Sequence, residues 1–204
     1  MSSKITFSGD FKKRLAKLPA LMNGLIRAKL KKDAVELVKI FHDGIKRNTL
    51  SLQKLSRVSI DAKGRMNFPA PETPLYGRGD EKKEKSYMNL LRIKETKAGY
   101  TVQPSIGRHW KSNLRLKDLF HVHEYGALIA QGEGATARMI RIPPRPAFLK
   151  SYQLWGKKRI KDETSKTVKN AIQKYLADGK ANHIAESKAA LDRGIDSYFR
   201  RLTE

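Results

Sequence analysis

The sequence predicts an α+β fold: a long N-terminal helix packed on a small antiparallel sheet, with C-terminal helices. Three observations predict it. Apolar residues recur at three- and four-residue steps from Phe11 to Ile45, the spacing of one helical face. Short β-type runs near 88–104 and 137–142 are bounded by turn residues. Helical stripes return between 163 and 202. A long helix backing a sheet of three or four strands is the simplest assembly. Residues 1–155 are expected to form this α+β core, with a long loop over 48–87. A basic linker and a helical extension then occupy 156–204.

The first helix carries Phe11, Leu15, Leu18, Met22, Ile26, Leu30, Ala34, Leu37, Phe41 and Ile45 on its expected buried face. Asp10 suits the N-cap. Pro19 is expected to divide the segment and open a second helix at its first turn. Gly44 and Asn48 mark the far end. Lys12, Lys13, Lys17, Arg27, Lys31 and Lys39 lie opposite, a solvated basic face.

Residues 48–87 have weak periodicity. Pro69, Pro71, Pro74, Gly77 and Gly79 precede the charged run Asp80 to Lys85, which reads as loop. Leu52–Gly64 has room for a short helical turn. Met88–Ile93 and Tyr100–Gln103 flank a Lys97-Ala98-Gly99 turn and read as a hairpin. Leu114, Leu116, Leu119 and Phe120 fit a short helix or turn. Met139–Ile142 supplies a further strand. Val168, Ile172, Tyr175 and Leu176 form a helical stripe closed by Gly179 at C′. Ile184, Leu191, Ile195, Tyr198, Phe199 and Leu202 form the last. Gly156-Lys157-Lys158-Arg159-Ile160-Lys161 reads as the basic connection, and this helical pair either packs back on the sheet or reaches a neighbour.

The chain has 204 residues, with Lys+Arg 43 against Asp+Glu 20, a formal net charge of +23. Such a charge repels itself unless a polyanion or an acidic protein face neutralises it. The chain has no cysteine, so disulfides, thiolate metal sites and thiol catalysis are excluded. No apolar run approaches the roughly 20 residues of a membrane span. No membrane partner and no secretory signal are expected.

The densest stretch is 121–148, HVHEYGALIAQGEGATARMIRIPPRPAF. Prolines at 143, 144 and 146 fix φ and remove backbone donors, so the chain must leave a sheet there as a stiff strut. Phe148 is then the natural anchor into a core. The stretch reads as a docking edge with a rigid exit.

The order of these elements resembles the tail-completion and virion-morphogenesis proteins of tailed bacteriophages, the minor tail protein Z-like neck group. The resemblance rests on Leu55-Ser56-Arg57-Val58-Ser59-Ile60, His123-Glu124-Tyr125-Gly126 and Ile142-Pro143-Pro144-Arg145-Pro146-Ala147-Phe148, in that order, and covers about residues 20–150. It departs from that group at Pro74-Leu75-Tyr76-Gly77-Arg78-Gly79, where a charged insertion follows. The resemblance implies a non-enzymatic virion protein at the neck, joining head and tail or completing the tail. It implies a ring of identical copies, assembled in the host cytoplasm, touching neck, connector or tail proteins and, through its charge, packaged DNA. The interface residues expected are His123, Glu124, Tyr125, Gly126, Pro143, Pro144, Arg145, Pro146 and Phe148. The alternative reading is a basic protein that binds nucleic acid without sequence preference.

Other constellations have blander explanations. On a strand, His121 and His123 would share a face, and His109 would complete a metal site. The HExxH spacing is absent, so no metal is expected; two half-buried histidines at a sheet end suffice. Asp118 and Glu124 form a carboxylate pair without a nucleophile, and Gly132-Glu133-Gly134 lacks the following Gly-Lys of a phosphate loop. No catalytic residue and no cofactor are expected. Arg145 either clamps a carboxylate, Glu124 of its own chain or an acid of the next subunit, or is a solvated cation on a strut. Trp110 and Trp155, beside Arg108, Lys111, Lys157 and Lys158, either stack on bases or pack internally.

Overall fold

The computed structural model describes residues 9–65, 72, 74–75, 87, 89–109, 113–131, 138–159 and 163–203. Helix α1 spans Gly9–Lys46 without a break. The expected division at Pro19 is therefore overturned. Pro19 withdraws one amide from the ladder, at a cost of about 3 kcal/mol. Leu18, Leu21 and Met22, on either side of it, enter one apolar cluster, which holds the helix together across the defect.

Asn48, at φ 52°, takes the left-handed conformation that asparagine tolerates. The amides of Asn48 and Thr49 turn back to the carbonyls of Ile45 and Gly44, at 3.3 and 3.0 Å. Gly44 is needed for a second reason: a Cβ there would stand 2.6 Å from the Leu50 side chain.

The chain forms two compact units. One contains α1 up to Val35, Thr96–Tyr100 and the chain from Arg159 onward. Within it, α5 (Glu163–Asp178) and α6 (Asn182–Thr203) pack on α1. Met22, Leu25 and Ala28 meet Ala171, Tyr175, Ile184 and Leu191. The C-terminal pair thus packs on the long helix. Gly179 closes α5 as its spacing predicts, its amide donating to Tyr175 at 2.8 Å. Arg14 Nη1 donates to the carbonyls of Leu176 and Ala177 at 3.2 and 3.1 Å, satisfying acceptors at the same helix end. Leu15, Ile26 and Leu30 lie exposed; the buried face runs through Leu18, Leu21, Met22, Leu25 and Ala28 instead. Lys29 and Asp33, at 2.7 Å, form a buried pair one turn apart.

The other unit contains the rest of α1, α2 (Arg57–Arg65), the hairpin β1 (Leu91–Thr96) and β2 (Gly99–Pro104), α3 (Leu116–Tyr125), β3 (Ala127–Gln131), β4 (Arg138–Ile142) and α4 (Ala147–Arg159). Its core joins Phe41 and Ile45 of α1 to Leu50, Leu52, Tyr87, Leu90, Leu91, Leu116 and Ala147. The α+β class, with the long helix packed on a small antiparallel sheet and helices at the C-terminus, holds. The single sheet of three or four strands does not. Among the described residues β1 pairs only with β2, and β3 only with β4. Residues 127–131 supply an apolar partner close in sequence to β4, so the local hairpin closes at the smaller entropy cost. The first strand starts at Leu91, three residues later than expected.

The expected linker from Gly156 is still helix: α4 runs to Arg159 and Gly156 is buried. Most of the charged loop before Met88, with Trp110 and Gly132–Gly134, lies outside the described residues. No helix among the described residues is long and apolar enough to cross a membrane.

Candidate functional site

The two motifs that organise the sequence meet at the junction of α3 and α4. Leu116, Leu119, Phe120 and His123 recur at helical steps, and Leu116 is fully buried. The short helix that Leu116, Leu119 and Phe120 allow therefore runs on through His121–Glu124, which is not the sheet end expected for the two histidines. His121 and His123, two residues apart, point to different sides of a helix. His121 is exposed and stacks on Tyr125, one turn on, with centroids 5.7 Å apart. His123 meets the Tyr87 ring edge-on at 4.7 Å. Among the described residues no group of three His, Asp or Glu side chains is placed to hold a metal ion.

Glu124 is 6% exposed. Its Oε1 accepts the Phe148 amide at 2.7 Å and its Oε2 the Leu149 amide at 3.2 Å. These are first-turn amides of α4, which have no partner inside the helix. A carboxylate 24 residues away thus caps the helix that the proline strut opens. Burial raises the pKa of Glu124, while the amides of Phe148, Leu149 and Ala147 pull it down.

Arg145 fixes the strut twice. Its amide donates to the His123 carbonyl at 2.5 Å, and its Nε to the Gln53 carbonyl at 3.3 Å. The guanidinium thus pairs with backbone where a clamp on Glu124 was one of the readings. Lys150 Nζ donates to the Ser51 carbonyl beside it. Phe148 packs against the core and meets Phe120 at 5.8 Å, as expected of an anchor.

Gly126 makes the exit from α3 possible. Its φ of 78° suits glycine, and a Cβ would lie 2.8 Å from the Ile142 carbonyl and 3.2 Å from Pro144 Cδ. The glycine of one motif therefore lies against the prolines of the other.

Among the described residues, three buried polar atoms near this junction or on α4 have no hydrogen-bond partner: Tyr87 Oη, His123 Nδ1 and Trp155 Nε1. Burial, with Arg145 and His109 adding to it, lowers the His123 pKa to about 4. Burial raises that of Tyr87, and Glu124 raises it further. Trp155 is half-buried and stacks on Tyr152 with centroids 5.6 Å apart.

Of the nine residues expected at an interface, only Tyr125 and Pro144 are exposed; Glu124 is buried and His123, Gly126, Pro143, Arg145, Pro146 and Phe148 are half-buried. The structure brings all nine together inside one chain. Asp118 is exposed on the same helix, while both oxygens of Glu124 are engaged as helix caps.

The open apolar surface lies next door. β3 and β4 pair antiparallel, with Leu128 opposite Arg141 and Ala130 opposite Met139. Alternation puts these four on one face. Leu128 is 66% and Met139 65% exposed. On α4, Leu149 and Tyr152, three residues apart, are each about half exposed. Leu149 and Tyr152 lie between the proline strut and the basic connection from Gly156, where the sequence predicts no element; their i, i+3 spacing is the available signal.

The chain matches no protein-family model, no curated protein and no solved structure.

Proposed function

We propose that the chain is a structural protein of a phage virion, placed at the neck where head and tail join, working as a ring of identical copies without catalysis. One observation supports this most. Two of the three sequence elements that carry the resemblance form a single device, with Glu124 capping the helix that Arg145-Pro146-Ala147-Phe148 opens. A device of that kind explains why such elements occur together and in this order.

The hairpin β3–β4 supplies what a ring needs. A two-stranded sheet with solvent-facing Leu128 and Met139 leaves apolar area and strand edges for a neighbour. The +23 charge suits a ring around packaged DNA. Negative-stain images of the purified protein and of intact virions test the reading. Rings in the first and the protein at the neck in the second are expected; a persistent monomer absent from particles sinks it.

The same charge favours a second reading, a protein that binds nucleic acid without sequence preference. Its affinity would fall by orders of magnitude between roughly 50 and 200 mM salt as counterions are released. Binding that is flat over that range rejects it.

A further inference from the structure

A cavity of about 710 Å³ opens between the β1–β2 hairpin, the loop that follows it and the start of α3. We propose that it is a docking groove for an acidic peptide segment of a partner protein, one that carries an apolar anchor residue. The proposal concerns a single copy of the chain and holds whether or not rings form.

Charge comes first. Arg92, Arg108, Arg115 and Lys117 line the cavity, and among the described residues no carboxylate does. Guanidinium groups match carboxylates in a planar, two-point geometry. Arg92 is already oriented: with the Gln103 amide turned so that its oxygen accepts, Nη2 donates at 2.8 Å and Nε at 3.2 Å. Arg108 is oriented too, donating to the Asn113 carbonyl at 2.8 Å. Little side-chain freedom remains to be lost when an anion arrives at these two.

The lining between these cations is apolar. Ile106, 77% exposed, lies in the cavity with Phe120 and Pro104. An exposed isoleucine inside a concave basic site calls for an apolar side chain on the ligand. This favours a peptide over nucleic acid. Base stacking needs an open aromatic face; among the described residues of the lining, Phe120 is half-buried in T-shaped contact with His121 and Phe148, and the His121 ring is already stacked on Tyr125.

The walls are preformed. Ser105 donates to the Leu90 carbonyl at 2.7 Å, His109 to Leu114 at 2.7 Å and Leu116 to Gly107 at 2.9 Å. These bonds fasten the loop to β1 on one side and to the start of α3 on the other. A ligand therefore meets a shape that already exists.

Fluorescence anisotropy of the 204-residue chain with labelled peptides tests the proposal. One probe alternates glutamate with leucine; the other is all glutamate. The mixed probe is expected to bind at least about tenfold tighter, since only it has an anchor. Ile106→Asp removes that preference. The pair Arg115→Glu and Lys117→Glu, both exposed and at a helix start where acids are favoured, weakens the mixed probe about tenfold or more. The charge-matched pair Lys12→Glu and Lys17→Glu, on α1, leaves it nearly unchanged. Equal binding of the two probes overturns the proposal, as does an equal loss in both charge-reversal pairs. A single-stranded oligothymidylate that binds more tightly than the mixed probe, and loses affinity in the groove pair alone, assigns the groove to nucleic acid and also overturns it.

Discussion

The α3–α4 junction and the β3–β4 hairpin are neighbours in sequence and opposite in character. At the junction, polar groups are buried and apolar side chains face inward: Glu124 is 6% exposed and the Phe148 ring packs against the core. In the hairpin Leu128 and Met139 face water, each about two-thirds exposed. The junction is bonded within the chain at Glu124 and Arg145 and closely packed at Gly126. The hairpin pairs two short strands and, among the described residues, leaves their outer edges unpaired. The contrast separates two roles within one stretch. The motif residues hold the fold, and the segment between them offers a surface.

If that division is right, the junction breaks stability and the hairpin breaks assembly. The largest effect belongs to Phe148→Ala. It removes a ring held between Phe120 and the core and leaves a cavity. A loss of about 3 kcal/mol is expected, near the lower end for such truncations because the ring is half-buried. Urea unfolding followed by circular dichroism measures it. A loss below about 1 kcal/mol would mean that Phe148 is not the anchor of the strut.

His123 gives an effect of similar size that depends on pH. Folding lowers its pKa from 6.5 to about 4. The unfolded chain therefore binds a proton below pH 6.5 that the folded chain refuses. Stability is unaffected above that pH, falls as acid is added, and by pH 4 has lost roughly 3 kcal/mol. Glu124 acts in the opposite sense. Its raised pKa means that the folded state takes its proton first, so acid relieves a burial penalty there. Measuring the His123 effect in a Glu124→Gln background removes that compensation. His123→Phe keeps an aromatic ring against Tyr87 and deletes an unpaired buried nitrogen. It should abolish the acid-dependent loss and be neutral or stabilising at pH 7. An unchanged pH profile in that variant breaks the account.

Much of this was legible in the sequence. Gly179 as a helix end, the turn before Tyr100, the proline exit and Phe148 as anchor follow from φ restriction and spacing alone. What was not legible depended on partners far along the chain. His121–Tyr125 is short, with apolar and polar residues in mixed order, so its period does not distinguish strand from helix. Helix α3 is decided by Leu116 and Leu119 packing on a core that α1 and β1 supply. The role of Glu124 needed a helix 24 residues on, in a stretch where only the end of the strut and a basic connection from Gly156 are expected. On α1, the stripe chosen from every three or four residues drifted off the buried face before Ala28. Which of Leu25 and Ile26 is inside is set by α5 and α6, not by α1. The basic groove was not legible either, because Arg92, Arg108, Arg115 and Lys117 are dispersed along the chain and the turn at Gly107 brings them together.

Glu124→Gln sharpens the junction side of the contrast at a smaller scale. Glutamine keeps one acceptor for the Phe148 amide and turns a donor toward the Leu149 amide. The lost hydrogen bond and the amide donor now facing the Leu149 amide are expected to outweigh the relief of a buried charge and to cost about 1 kcal/mol. Hydrogen exchange should locate the change in the first turn of α4. Faster exchange spread evenly over the unit would indicate a general loosening and not a lost cap.

The smallest effect on stability, and the largest on assembly, is expected from the hairpin. Leu128→Ser with Met139→Ser removes the apolar character of one face while leaving the backbone pairing of β3 with β4 intact. Both side chains already face water, so the unfolding free energy should move by no more than about 0.5 kcal/mol. An apolar face that stays exposed in the free chain gains only when a neighbour covers it. If copies of the chain add to one another there, each lost side chain removes buried area from every contact of a closed ring, and cyclic repetition multiplies the deficit. Size-exclusion chromatography with light scattering should then show monomer where the parent forms larger species, at the same concentration and salt. Phe148→Ala should show the reverse pattern, with reduced stability and, where it still folds, unchanged assembly. A double serine variant that assembles like the parent would place the subunit contact elsewhere. The half-exposed Leu149 and Tyr152 on α4 would be the next surface to alter.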